Sequence, residues 1–209
     1  PLVESDLSLA ELRSLQDWWL RFELVALEGV SEVATVGGFV KQYQVQVDPL
    51  RLQAHGLDLM GLRRVLEQAN ADAGGRVIER GEFELLVRGR GYLGTLDEEA
   101  LALARAGGWL ALERARTAQV VADLRTVAVG RSAAGVPLTL GEVAEVALVG
   151  EGRTGLAEWN GQGEAVGGIV VMRQGGNARE TIARVQARLE ELVTALPPGV
   201  AVVTAYDRS

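Results

Sequence analysis

Apolar residues recur along this chain in two rhythms, and the same succession of rhythms occurs near both ends. Leu12, Leu15, Trp19, Phe22 and Ala26 follow at steps of three and four, which puts them on one face of a helix. Ser8-Leu9-Ala10-Glu11 has capping-box spacing at its start, and Gly29 stops it. Val30, Val33, Thr35 and Val36 then form a β-branched strand closed by Gly37-Gly38. The second occurrence begins with Ala165 to Met172, a near-continuous apolar strand containing Gly167-Gly168. Asn177 caps the helix that follows, with a core face of Ile182, Val185, Leu189, Leu192 and Val193. Pro197-Pro198-Gly199 turns the chain into Val200 to Thr204, another strand of buried type.

These patterns predict an α+β fold in which residues 1–37 and 151–209 are two halves of one split unit. Right-handed crossovers would set both helices on one face of a four-stranded sheet, the split βαβ-βαβ or ferredoxin-like plan. Residues 38–150 are then an insert with its own α+β core. In it Tyr43, Val45 and Val47 alternate with glutamines as a half-buried strand, Asp48-Pro49 opens a helical turn, and Asp58 caps a helix carrying Leu59, Leu62, Val65, Leu66 and Ala69. A hairpin is expected around Arg80-Gly81, and short strands near 124–129, 136–138 and 143–149. Leu96 to Ala122 is rich in Ala, Leu, Arg and Glu and reads as two helices joined at Gly107-Gly108.

Composition narrows what the chain can do. A net charge of −7 and a pI near 4.9 argue against nucleic acid, whose phosphates need a concentrated positive patch. The absence of cysteine removes disulfides and thiolate metal sites. No run approaches the ~20 apolar residues needed to span a bilayer, and the start lacks a basic-then-apolar signal pattern. Pro1-Leu2-Val3 reads as the tail of a strand and the last residues follow directly on a core strand, so the chain is expected to be a piece of something longer.

Candidate chemistry is sparse. Gly89-Arg90-Gly91-Tyr92-Leu93-Gly94 matches the spacing that cradles pyrophosphate, yet the preceding strand is partly polar and no nucleotide-binding βαβ unit surrounds it, so a glycine-rich turn is the expected reading. His55 is the only histidine, and a metal centre needs three or four converging donors. Met60 and Met172 are expected to fill core gaps. Glu4, Asp6, Asp17 and Glu158 are expected on a solvated acidic face. No nucleophile-elbow or Ser-His-acid pattern occurs, so no catalytic, cofactor-binding or metal-ligating residue is assigned and no cofactor is implied. Trp18 and Trp19 point about 100° apart on their helix, so at most one faces a core and the other suggests a partner surface.

Several runs, in order and across nearly the whole chain, resemble the resistance-nodulation-division (RND) efflux transporters, specifically the heavy-metal cation branch. They are Leu15 to Leu20, Val30 to Gly38, Tyr43 to Pro49, Ala157 to Gly163, Gly175 to Glu180 and the closing Thr204-Ala205-Tyr206-Asp207-Arg208-Ser209. The resemblance implies a periplasmic domain of an inner-membrane, proton-driven homotrimer that passes cations to an outer-membrane channel with a periplasmic adaptor. It implies that the split unit is a porter subdomain forming a moving wall, and that 38–150 is a docking subdomain whose segment Asn70 to Arg88 reaches a neighbouring protomer. It also implies that the transported cation binds mainly outside this stretch. The helical segment 97–122 departs from the family's pattern. A drug-exporting member, or a soluble ferredoxin-like ligand-binding regulator, are the alternatives that this reading leaves open.

Overall fold

The computed structural model describes residues 2–3, 7–71, 73–80, 83–89, 91–132, 134–153 and 155–208. The chain divides into two units, one formed by residues 1–42 with 150–209 and the other by residues 43–149.

In the first unit, strand β1 (Leu2–Val3) precedes helix α1 (Leu9–Leu15), a π-helical turn (Gln16–Leu20) and helix α2 (Arg21–Val25). Strand β2 (Val30–Val36) follows, and β3 (Lys41–Val47) carries the chain into the second unit. The expected capping box is formed, with the Ser8 backbone N–H donating to Glu11 at 2.9 Å and the Glu11 N–H donating to the Ser8 hydroxyl at 3.3 Å.

The continuous α-helix expected through Ala26 is corrected by the π-turn. There the Arg21 N–H donates to the Gln16 carbonyl, five residues back, and one surplus residue rotates everything beyond it. The buried positions become Leu12, Leu15, Leu20 and Leu24, while Trp18 and Phe22 are exposed and Trp19 is half-buried.

In the second unit, α3 (Pro49–Ala54) and α4 (Leu59–Gln68) begin at Asp48 and Asp58, whose carboxylates accept from the Leu50 and Gly61 amides at 2.9 and 2.7 Å. Strands β4 (Ala73–Arg80) and β5 (Phe83–Gly89) pair antiparallel as the expected hairpin, its turn at 81–82 lying outside the described residues. Helices α5 (Glu98–Ala106) and α6 (Gly108–Thr126) meet at the glycine pair. Because α6 runs to Thr126, the strand expected from Leu124 starts only at β6 (Ala128–Arg131), which pairs with β7 (Pro137–Thr139). A helical turn, α7 (Leu140–Val143), replaces the start of the next expected strand, and β8 (Ala144–Gly150) pairs with β3. Leu52, Leu62, Leu124, Val129, Leu138, Leu140, Val143 and Val146 form the core of this unit.

Back in the first unit come β9 (Gly167–Met172), α8 (Ala178–Val193) and β10 (Ala201–Val202). Strand β9 pairs antiparallel with β2, placing Val33 opposite Val170, Ala34 opposite Ile169 and Thr35 opposite Gly168. Leu24, Val30 and Val33 are buried with Leu27, Val170, Val185 and Leu189 against them, so residues from both ends of the chain share one core. Strand β1 pairs with β10 in the register Leu2 to Val202. Among the described residues the four strands therefore form two separate antiparallel pairs in place of one four-stranded sheet, and residues 4–6 of the N-terminal stretch lie outside the described ones. Two expected core positions are corrected here. Val193 is half exposed, and the run Val200 to Thr204 is strand only at β10 and largely open to solvent.

Candidate functional site

The glycine motif at 89–94 shows why its chemistry is structural. Gly91 lies so close to the Ala71 carbonyl that a Cβ would sit 2.1 Å from that oxygen. The Leu93 amide donates to the Asn70 side chain at 3.0 Å, and the Gly94 amide donates to the Asp123 carboxylate at 2.8 Å. An anion-binding loop must leave such amides to its ligand. Here a carboxylate of α6 already holds one, its other oxygen accepting from Gln119 at 2.7 Å.

His55 caps the end of α3 on the surface. Its neighbour in charge is Glu142, whose carboxyl is held below the usual glutamate range. The Thr139 backbone N–H and hydroxyl are the main causes, donating to it at 2.6 and 2.9 Å, and His55 adds a smaller contribution. This is a helix cap, the second capping box of the chain. Met60 is exposed, which corrects the expectation of a core gap-filler, while Met172 is half-buried. Asp17 is paired with Arg13 at 2.6 Å, Glu158 is exposed, and Glu4 and Asp6 lie outside the described residues. Among the described residues no group of three or more His, Asp or Glu is placed to hold a metal ion, and no helix is long and apolar enough to cross a membrane.

What the structure brings together is a surface. The apolar sequence of β9 calls for cover on both faces of the strand. Val170 meets the helices through the core it shares with Val33 and Leu189, but Ile169 is 53% exposed and Val171 41% exposed, with Val36 of β2 exposed beside them. By strand alternation Ala34 and Val36 share this face with Ile169 and Val171. One side of the β2–β9 ribbon is thus an uncovered, mainly apolar wall, with the exposed Glu32 directly opposite Val171 at its edge. The helical side carries a second exposed patch, where the Trp18 and Phe22 rings stack with centroids 6.4 Å apart.

The ribbon is anchored at its ends. Gly37 and Gly38 both have positive φ, and a Cβ on Gly38 would strike Val166, the Leu9 carbonyl and Arg13 at 2.7 to 3.0 Å, so only glycine lets the strand leave so close to α1. The Arg13 guanidinium donates to the Gly37 carbonyl at 2.8 Å. Just before β9, residues 158–164 form a tight hairpin. Asn160 and Gly161 take positive φ and the Gln162 N–H donates to the Trp159 carbonyl at 3.0 Å, the type I′ geometry that Asn-Gly favours. Arg153 pairs with Glu164 of that hairpin and lies 4.1 Å above the Phe39 ring, fastening the hairpin beside the Glu151–Val40 backbone hydrogen bond. At the other end Arg173 donates to the Val30 carbonyl and Arg188 of α8 pairs with Glu23 of α2 at 2.5 Å.

Comparison with known proteins decides the family. The model of the AcrB/AcrD/AcrF family matches residues 2–209. The chain belongs to that family. Within it, the chain is 45% identical to the cation efflux system protein CusA of Escherichia coli (strain K12) over 201 residues, covering 96% of this chain and 17% of that protein. It is 43% identical to the putative cation efflux system protein SilA of Salmonella typhimurium and 35% identical to the cobalt-zinc-cadmium resistance protein CzcA of Cupriavidus metallidurans. The fold matches the crystal structure of a heavy metal efflux pump with a TM-score of 0.74 at 26% identity, covering 99% of this chain and 18% of that one. The chain thus spans about a sixth of the length of these relatives, at 17% of the first.

Proposed function

We propose that the chain is the periplasmic portion of a proton-driven heavy-metal cation efflux pump of the inner membrane. The observation that carries this is the 45% identity to a cation efflux protein along 96% of the chain. Residues 1–37 with 151–209 would be a ferredoxin-like porter subdomain, and 38–150 a docking subdomain with 97–122 as an added helical segment. The pairing of β1 with β10 and of β2 with β9 supports that plan, since both are antiparallel neighbours in it.

The chain's contribution is mechanical. Its apolar wall of Val36, Ile169 and Val171 would face the transport path or a neighbouring subdomain and move as a rigid body with its two helices. The docking subdomain would hold a homotrimer and meet a periplasmic adaptor and outer-membrane channel, while the cation binds mainly outside this stretch. No bond chemistry is required of it.

Growth of a strain lacking the parent gene tests the reading. Loss of tolerance to salts of one or more heavy-metal cations, restored by the gene, is the expected result. Unchanged metal tolerance with new sensitivity to organic drugs would overturn it in favour of a drug exporter.

A further inference from the structure

The apolar positions of the first helix fit one register, and the structure adopts another. Leu12, Leu15, Trp19, Phe22 and Ala26 line a single face of an unbroken α-helix, whereas the buried set is Leu12, Leu15, Leu20 and Leu24. The step of five from Leu15 to Leu20 is made by the π-turn Gln16–Leu20. We propose that this π-turn is a register switch. When its surplus residue leaves, α2 rotates by about 100° relative to α1, turning Trp19, Phe22 and Ala26 toward the sheet and Leu20 and Leu24 away from it.

Three observations support two packings of comparable stability. A π-turn is a rare interruption of an α-helix, and here the Arg21 N–H bonds the Gln16 carbonyl five residues back. The fit at this turn is incomplete, since Gln16 is only 4% exposed and its Nε2 has no hydrogen-bond partner. It lies against Gly168, 2.6 Å from where a Cβ would be, and Thr35, directly across the ladder from Gly168, has a buried hydroxyl likewise without a partner. Finally, Trp18 and Phe22 are 72% and 56% exposed, leaving aromatic surface in water that the other register would cover in part. The surplus residue would pass into the turn between α2 and β2, where Ala26 and Glu28 are exposed. The switch would therefore change the outer face of the helix while the β2–β9 ribbon stays in register. It requires no assumption about the transported cation.

The chain has no cysteine, so single thiols can report each position. Maleimide labelling of the 209-residue chain under native conditions would compare Leu20→Cys, Leu12→Cys and Val33→Cys, all buried sites. The expected result is labelling of Leu20→Cys about ten-fold or more faster than of the other two, because a register change opens only the part beyond the π-turn. Equal rates at Leu20→Cys and Val33→Cys would overturn the proposal, and so would equally fast labelling at Leu12→Cys, which means detachment of the whole helix. A second variant locks the observed register. Deleting Gln16 from the Leu20→Cys chain shortens the step from Leu15 to Leu20 to four residues, so an unbroken α-helix keeps both on one face. Labelling is expected to slow to the rate of Val33→Cys, and a folded deletion variant labelled as fast as before would overturn the proposal as well.

Discussion

The uncovered wall of the β2–β9 ribbon makes a quantitative contrast between two valines of one sheet. Val33 of β2 is 1% exposed and packs in the core shared by both ends of the chain, whereas Val171 of β9 is on the open face. Val33→Ala removes two methyl-sized groups worth about 0.8 kcal/mol each by transfer, and the cavity left behind raises the cost to about 2–3 kcal/mol. Val171→Ala removes the same atoms from a site that keeps much of its solvent contact, and should cost less than about 1 kcal/mol. Urea unfolding followed by the fluorescence of Trp18, Trp19 and Trp159, all in the first unit, reads the difference. With a slope of about 1–3 kcal/mol per molar urea, Val33→Ala should lower the midpoint by roughly 1 M and Val171→Ala by a few tenths. Equal losses would mean that both faces of the ribbon are covered in the isolated chain, and the wall would not exist.

The remaining expectations concern the joints. Gly38→Ala places a Cβ at positive φ against Val166 and the Leu9 carbonyl, and should lower stability by about 2 kcal/mol or more, measured as a fall in the thermal midpoint. Asp123→Ala removes the acceptor of the Gly94 amide and should cost about 1–3 kcal/mol in unfolding of the second unit, followed through Trp109. Titration of the wild-type chain with NAD or ATP in a calorimeter should give no saturable heat, since that amide is already held. The Glu142 carboxyl is depressed on folding, so its contribution is present above the ordinary glutamate value of about 4.3 and is lost as pH falls through the lower folded value. The acid limb of a stability profile should therefore be shallower for Glu142→Gln than for wild type, and identical limbs would refute the cap.

Local chemistry in the sequence located most elements because their signals are local. Ser8, Asp48, Asp58 and Asn177 each cap the helix that follows them, and Gly37-Gly38 ends β2 as its composition requires. The π-turn was not legible, because Leu12 to Ala26 satisfies α-helical spacing equally well and only packing against the ribbon selects Leu20 and Leu24. The extent of α6 was misread for a related reason. Leu124 to Val129 is as apolar as a strand, yet Leu124 belongs to the second core from a helix. The open wall was hidden too, since an apolar strand tells that both faces seek cover and leaves unsaid what supplies it. Ile169 and Val171 had to be seen uncovered before the strand could be read as a surface for something else.

The most direct test is the metal content of cells expressing the full-length parent gene, measured by mass spectrometry after growth with a tolerated dose of each cation. Compared are a strain without the gene, one with it restored, and one carrying Ile169→Asp in the wall. High content in the first, low in the second and high in the third is the expected result. Equal content in the first two, for every cation tried, would contradict the assignment to heavy-metal efflux.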